Sequence, residues 1–306
     1  MARGETSAFQ RDLLFAFGGG DPRITIAVLD GAVDRTHECF RGARLTPLDN
    51  GSSFHCPDGD TTASGSHAAS VIFGQPCSSV EGVAPLCRGL IVPIFAEDGR
   101  GCSLRKLARA IFLAVEQGAH VIDVSGGQFA RSERPDPVLA EAIEMCVRRN
   151  VAIVAAGGNE GCDELLDLAE IAPVLAVFTL EYYRRRLRSV DPIGMKALVI
   201  PGSNIVGAAP EGDVTRRSCA NGAAALVAGL VGLLLSRQLR RGAAPDPLAV
   251  RDFLLKFAGR HGPSGPRQSC RLLAEREQVQ AVVDRMGLGI GDGSIPFPFN
   301  LSALSG

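Results

Sequence analysis

Short, predominantly apolar runs alternate along the chain with stretches whose apolar positions recur every three or four residues. The runs span 24–29, 89–95, 120–124, 151–155, 174–179 and 197–200. Near-continuous hydrophobicity is what a parallel strand needs when helices cover both of its faces. Between the runs, 104–117 and 137–149 read as amphipathic helices. In the second, Val138, Leu139, Ala142, Ile143, Cys146 and Val147 share one face and charged residues fill the other. Strand, helix and strand repeat in the manner of βαβ crossovers, which predicts an α/β fold with a mostly parallel central sheet and helices on both faces.

The longest apolar run, 222–235, is too short for a bilayer span and contains glycines, so a buried core helix is expected. Beyond Arg237 a Gly/Ala/Pro linker leads to a helix beginning near Asp246-Pro247, where proline suits the first turn. Residues 259–269, rich in Gly, Pro and Ser, read as a flexible connection, and 270–286 as a further helix. No element is predicted from Gly287 onward, and no internal repeat is visible. The expected organisation is one large domain over 1–258, with 259–306 as an extension packed on it.

Composition narrows the function classes. With 306 residues, 46% of them hydrophobic, the chain has enough apolar surface for a large core. A formal net charge of −1 supplies no global attraction to nucleic acid or anionic membranes, so neither is expected as a partner. The one dense basic run, Arg184-Arg185-Arg186-Leu187-Arg188 after Tyr182-Tyr183, reads as a solvated loop, with docking of an acidic peptide as the alternative. Nine cysteines form no C-x-x-C pair, which leaves zinc ribbons and dithiol redox sites unsupported. No metal or other cofactor is predicted. An odd cysteine count and the lack of a charged-then-apolar leader favour the cytoplasm.

Motif order carries the chemistry. Asp30 closes Ile26-Ala27-Val28-Leu29-Asp30-Gly31; Ser64-Gly65-Ser66-His67-Ala68-Ala69-Ser70 follows, with a helix expected to open at Gly65. Gly82-Val83-Ala84-Pro85 precedes a strand, and Ser125-Gly126-Gly127-Gln128 and Ala155-Ala156-Gly157-Gly158-Asn159 each follow one. Pro201-Gly202-Ser203-Asn204-Ile205 precedes Ser218-Cys219-Ala220-Asn221-Gly222. In this order the motifs resemble the subtilisin-like (S8) peptidases over about 220 residues. More narrowly, Asp30-Gly31-Ala32-Val33-Asp34, Val71-Ile72-Phe73-Gly74-Gln75, the segment 87–95 and Ser125-Gly126-Gly127-Gln128 resemble the protease domains that mature cyanobactin-type ribosomal peptides.

The resemblance implies roles position by position. Asp30 matches the triad acid, and Asn159 the oxyanion donor. Where the family has His-Gly-Thr-His, the base position holds Ser64; where it has Ser-Gly-Thr-Ser, the nucleophile position holds Asn221. A hydroxyl is too weak a base for neutral pH, and an amide nitrogen delocalised into its carbonyl is no nucleophile. In a model protease without its triad the remaining acceleration is roughly 10³–10⁴-fold, with roughly 10⁶-fold lost. Ordinary peptide hydrolysis is therefore expected to be negligible.

Rescue by a neighbour would fall to His67 or Cys219, although the family also has a non-catalytic histidine at His67, and Cys219 reads as a small buried residue. Ala224 and Ala225 stand where the family has Thr-Pro, so a relaxed helical start is expected in place of a strained serine-presenting turn. The family binds extended peptides along the backbone matching Ser125, Gly126 and Gly127, which needs no triad. About twenty residues precede the first strand, so no propeptide is expected. The resulting expectation is a cytoplasmic, non-catalytic protein that binds a precursor peptide or a partner enzyme. The alternatives are a subunit paired with an active homologue, a cleft repurposed for another peptide modification or cyclisation, and a peptidase with an unorthodox catalytic set.

Overall fold

The computed structural model describes residues 18–51, 59–95, 102–125, 136–158, 173–183, 197–257, 259–260 and 270–272. Among the described residues there are eleven strands: β1 Thr25–Asp30, β2 Arg44–Pro47, β3 Arg88–Pro93, β4 Val121–Val124, β5 Ala152–Ala156, β6 Leu175–Thr179, β7 Ala197–Ile200, β8 Ile205–Ala208, β9 Val214–Arg217, β10 Gly259–Arg260 and β11 Cys270–Leu272. The longer helices are α1 Gly59–Phe73, α2 Leu104–Glu116, α3 Pro137–Arg148, α4 Ala220–Arg240 and α5 Pro247–Phe257. Nine strands form one sheet in the order β10-β11-β7-β6-β5-β4-β1-β3-β2, and β8 and β9 form a separate antiparallel hairpin. Within the large sheet only the β10 and β11 pair is antiparallel. This is the α/β architecture expected from the apolar runs.

Alternation along the strands explains the layers. On β1, Ile26 and Val28 pack with α1 and α4, whereas Ala27 and Leu29 pack with α2 and α3. Both clusters are buried, so the sheet is the middle of three layers. Polar first residues fit the helices to their places. Ser103 accepts the Lys106 N–H at the start of α2, and Asp136 accepts the Val138 and Leu139 N–H groups ahead of Pro137 in α3.

Helix α4 threads the core. It is long and apolar enough to span a membrane, yet 83% of its most apolar window is buried within the fold, so burial rather than length makes it a core helix. Its small residues allow close packing: a Cβ on Gly229 would lie 2.1 Å from Val83 Cγ2, and one on Gly232 would lie 2.6 Å from Ile26 Cδ1.

Three expectations differ from the structure. Residues 270–272 are a strand rather than the start of a helix, because Cys270, Arg271 and Leu272 pair in parallel with β7 and complete its hydrogen bonding. Gly259 and Arg260 pair with β11 in turn, so this end of the expected loop is ordered sheet. Gly65 lies within α1, not at its start, because the helix already begins at Gly59. The remainder of the expected 270–286 helix, and the basic run 184–188, lie outside the described residues.

Chain order places the site. From β1 the chain adds β2 and β3 on one side and then crosses to β4 on the other, so β1 and β4 flank a topological switch point. In parallel sheets the carboxyl ends of strands at such a point leave a crevice for ligands. Asp30 ends β1 and Ser125 follows β4 at that edge.

Candidate functional site

Asp30 is fully buried on the sheet face that α1 and α4 cover. Its Oδ1 accepts the Gly31 N–H at 2.6 Å, and its Oδ2 accepts the Ser64 hydroxyl at 3.2 Å. Burial pushes this carboxyl up to about 6. Hydrogen bonds from Gly31, Ser64 and Ser125 oppose that rise, as does the more remote charge of Arg217.

Ser64 is half-buried on α1, within reach of both other positions. Gly65 makes this approach possible, since a Cβ there would lie 2.4 Å from both the Gly31 and Ala32 carbonyl oxygens. Asn221, in the first turn of α4, donates its Nδ2 proton to Ser64 Oγ at 3.3 Å. The structure therefore brings Asp30, Ser64 and Asn221 into one hydrogen-bonded line. The line carries acceptors and amide or hydroxyl donors, but no imidazole.

The turn ahead of α4 is unstrained. Cys219 caps the helix in an extended conformation, with φ −151° and ψ 153°, and its Sγ accepts the Gly222 N–H at 3.4 Å. Burial raises the Cys219 thiol, which keeps it protonated rather than a nucleophilic thiolate. Ser218 accepts the Asn204 N–H at 3.1 Å and is exposed.

His67 hydrogen bonds outside this line. Its Nε2 lies 3.0 Å from the Ile205 carbonyl oxygen, and burial pushes the ring down to about 4. A carbonyl only accepts, so the neutral ring carries its proton on Nε2. The ring fills space left by two glycines: a Cβ on Gly207 would lie 2.3 Å from His67 Cδ2, and one on Gly222 would lie 3.1 Å from His67 Cε1. Neighbouring Ser70 donates to the His67 carbonyl and accepts the Ala208 N–H at 2.7 Å. Together these contacts pin the β8 and β9 hairpin to α1.

A second buried acid, Asp123, lies outside the motifs named above. It lies fully buried on β4, with its Oδ2 3.5 Å from Ser125 Oγ. Burial, then the charge of Asp30, raise its carboxyl well above the ordinary range. The signal was available: Ile122-Asp123-Val124-Ser125 places two polar residues at alternate positions of a strand buried on both faces. Gly126, Gly127 and Asn159 lie outside the described residues, leaving Ser125 as the described member of the peptide-pairing segment. No group of His, Cys, Asp and Glu able to hold a metal occurs among the described residues.

The subtilase family profile matches residues 21–289. The chain belongs to the subtilase family. Over 215 residues it is 30% identical to the thermophilic serine proteinase of Bacillus sp. (strain AK1), covering 69% of this chain and 52% of that protein. It thus spans about half the length of that relative. It is 28% identical over 236 residues to the major intracellular serine protease of Bacillus subtilis (strain 168), covering 73% and 72% of the two chains.

Two solved structures share more of its sequence, and a third shares its fold at lower identity. The prenylagaramide maturation protease PagA aligns with TM-score 0.75 at 38% identity over 90% of this chain and 99% of its own. The patellamide maturation protease PatA aligns with TM-score 0.71 at 39% identity over 88% and 98%. The PatG macrocyclase in complex with peptide aligns with TM-score 0.73 at 25% identity over 92% and 99%. This subtilase is therefore similar to two maturation proteases and a macrocyclase.

Proposed function

We propose that this subtilase is a pseudoprotease that binds a precursor peptide, or an enzyme acting on one, in the maturation of ribosomal peptides. One observation carries the reading: the buried Asp30 carboxyl meets a serine hydroxyl, which in turn meets an asparagine amide. The base position thus holds a hydroxyl in place of an imidazole, and the nucleophile position an amide in place of a hydroxyl or thiol, so neither of the triad's two reacting groups stands where it would act. The two candidates for rescue are otherwise engaged, His67 with the Ile205 carbonyl and Cys219 as the helix cap. Asp30 is covered by protein, which also counts against a cleft repurposed around that carboxylate.

Support for peptide as the ligand comes from the relatives, since two are maturation proteases and one was solved with peptide bound. Pairing of an extended peptide with the backbone beyond β4 requires no triad. A cytoplasmic location remains part of the proposal. The test mixes the pure full-length protein with fluorescein-labelled synthetic precursor peptides and reads both anisotropy and product mass. Saturable binding at unchanged mass is expected. Backbone cleavage, a mass shift without cleavage, or binding only to a second subtilase chain would each replace the reading with a protease, a modifying enzyme or a subunit.

A further inference from the structure

Asp123 and Ser125 project to the same sheet face as Asp30, because Val121 on their strand packs in the cluster under α1 and α4. Leu29 stands opposite Val124, and the Ser125 N–H donates to the Leu29 carbonyl at 3.1 Å, which brings Ser125 beside Asp30. The Ser125 hydroxyl lies 3.5 Å from Asp123 Oδ2 and stands close enough to Asp30 to oppose the rise of its carboxyl. The other Asp123 oxygen, Oδ1, is buried without a hydrogen-bond partner.

A proton count decides between the possible arrangements. A serine hydroxyl owns one proton and cannot donate to two carboxylates at once. Were both acids ionised, Asp123 would be a buried charge with one oxygen bare, a costly state. A proton on Asp123 removes the conflict. Its O–H donates to Ser125 Oγ, Ser125 donates to Asp30, and Asp30 also collects the Gly31 N–H and the Ser64 O–H. Ser64 then receives the Asn221 amide. Every donor runs toward the Asp30 carboxylate. Arg217 on β9 bears on Asp30 rather than on Asp123, so no cation among the described residues relieves the second acid.

We propose that Asp123 is a positioning residue: as a neutral acid it fixes Ser125, and through it Asp30, in one hydrogen-bonded chain beneath the peptide cleft. The effect on peptide rests on the binding function proposed above, whereas the proton assignment stands apart from it. Two variants separate the parts. Asp123→Asn keeps a neutral donor to Ser125; Asp123→Leu keeps bulk and removes it.

The full-length protein, labelled with ¹³C at aspartate carboxyls, is first titrated without peptide by NMR. One carboxyl should stay protonated through neutral pH, vanish in both Asp123 variants, and be retained in Asp30→Asn. Binding of a fluorescein-labelled pool of extended mixed-sequence peptides is then measured for each folded variant. Asp123→Asn should bind as wild type does, and Asp123→Leu and Ser125→Ala about tenfold more weakly, the worth of roughly one hydrogen bond. An Asp123 carboxyl ionised at neutral pH, or equal binding by Asp123→Leu and wild type, overturns the proposal. A wild-type protein that binds no peptide defeats the binding function, while the carboxyl titration still decides the proton's place.

Discussion

Replacing Asp30 with asparagine should change sign in its effect on stability between acid and alkaline solution. Burial raises the carboxyl from 3.8 to about 6 in the folded chain. The folded state therefore holds the proton more tightly than the unfolded chain does. Stability from this site is fully present below the unfolded value and is lost as pH rises through about 6. A rise of about two units corresponds to about 3 kcal/mol. Asparagine retains an acceptor for the Gly31 N–H but loses the acceptor for the Ser64 hydroxyl, at a cost of about 1 kcal/mol. Asp30→Asn should thus be about 1 kcal/mol less stable than wild type near pH 4 and about 2 kcal/mol more stable near pH 8. Urea unfolding followed by circular dichroism across that range measures the difference, and the titration of His67 cancels between the two proteins. A difference independent of pH, or asparagine growing more harmful as pH rises, would refute the reasoning. The latter result would mean that a cation, such as a protonated imidazole, stabilises the carboxylate.

Further outcomes follow from the same geometry. Ser64→His together with Asn221→Ser should raise peptide hydrolysis above wild type, whereas either change alone should not, because base and nucleophile act as a unit; a discontinuous peptide-cleavage assay reads this. Gly65→Ala should destabilise the fold by roughly 3 kcal/mol or more in urea unfolding, since the new methyl meets backbone oxygens at 2.4 Å. His67→Ala should cost about 3 kcal/mol by leaving a cavity between α1 and the hairpin, with no change in any residual hydrolysis. Cys219→Ser should leave stability unchanged or raise it by up to about 1 kcal/mol, because serine is the better helix cap, as thermal unfolding will show.

Much of the fold was legible because its central strands are buried on both faces, where composition and structure speak the same language. The strands Thr25–Asp30 and Ala197–Ile200 were visible as the predominantly apolar runs 24–29 and 197–200. β2 was not, because Arg44–Pro47 is a short edge strand whose residues remain partly exposed. β11 was misread because its strand state depends on a partner about seventy residues earlier, which local pattern does not encode. Helix α4 was visible, but its full length was obscured by the arginines that close it. At the site, motif order placed Asp30, Ser64 and Asn221 together before any geometry was known. The motifs said nothing of Asp123, whose meaning lies in strand parity: Asp123 on β4 and Ser125 just beyond it share a face that comes beside Asp30 only once β1 and β4 are neighbours.

Covalent labelling tests the loss of reactive groups most directly. A fluorophosphonate bonds to an oxygen or sulfur that a neighbouring base has activated, and intact mass with peptide mapping shows where. Wild-type protein should acquire no adduct at Ser64, Ser218 or Cys219, while the Ser64→His, Asn221→Ser protein should acquire one at position 221. An adduct on the wild-type protein at any of those three residues, abolished by Asp30→Asn or His67→Ala, would contradict the account.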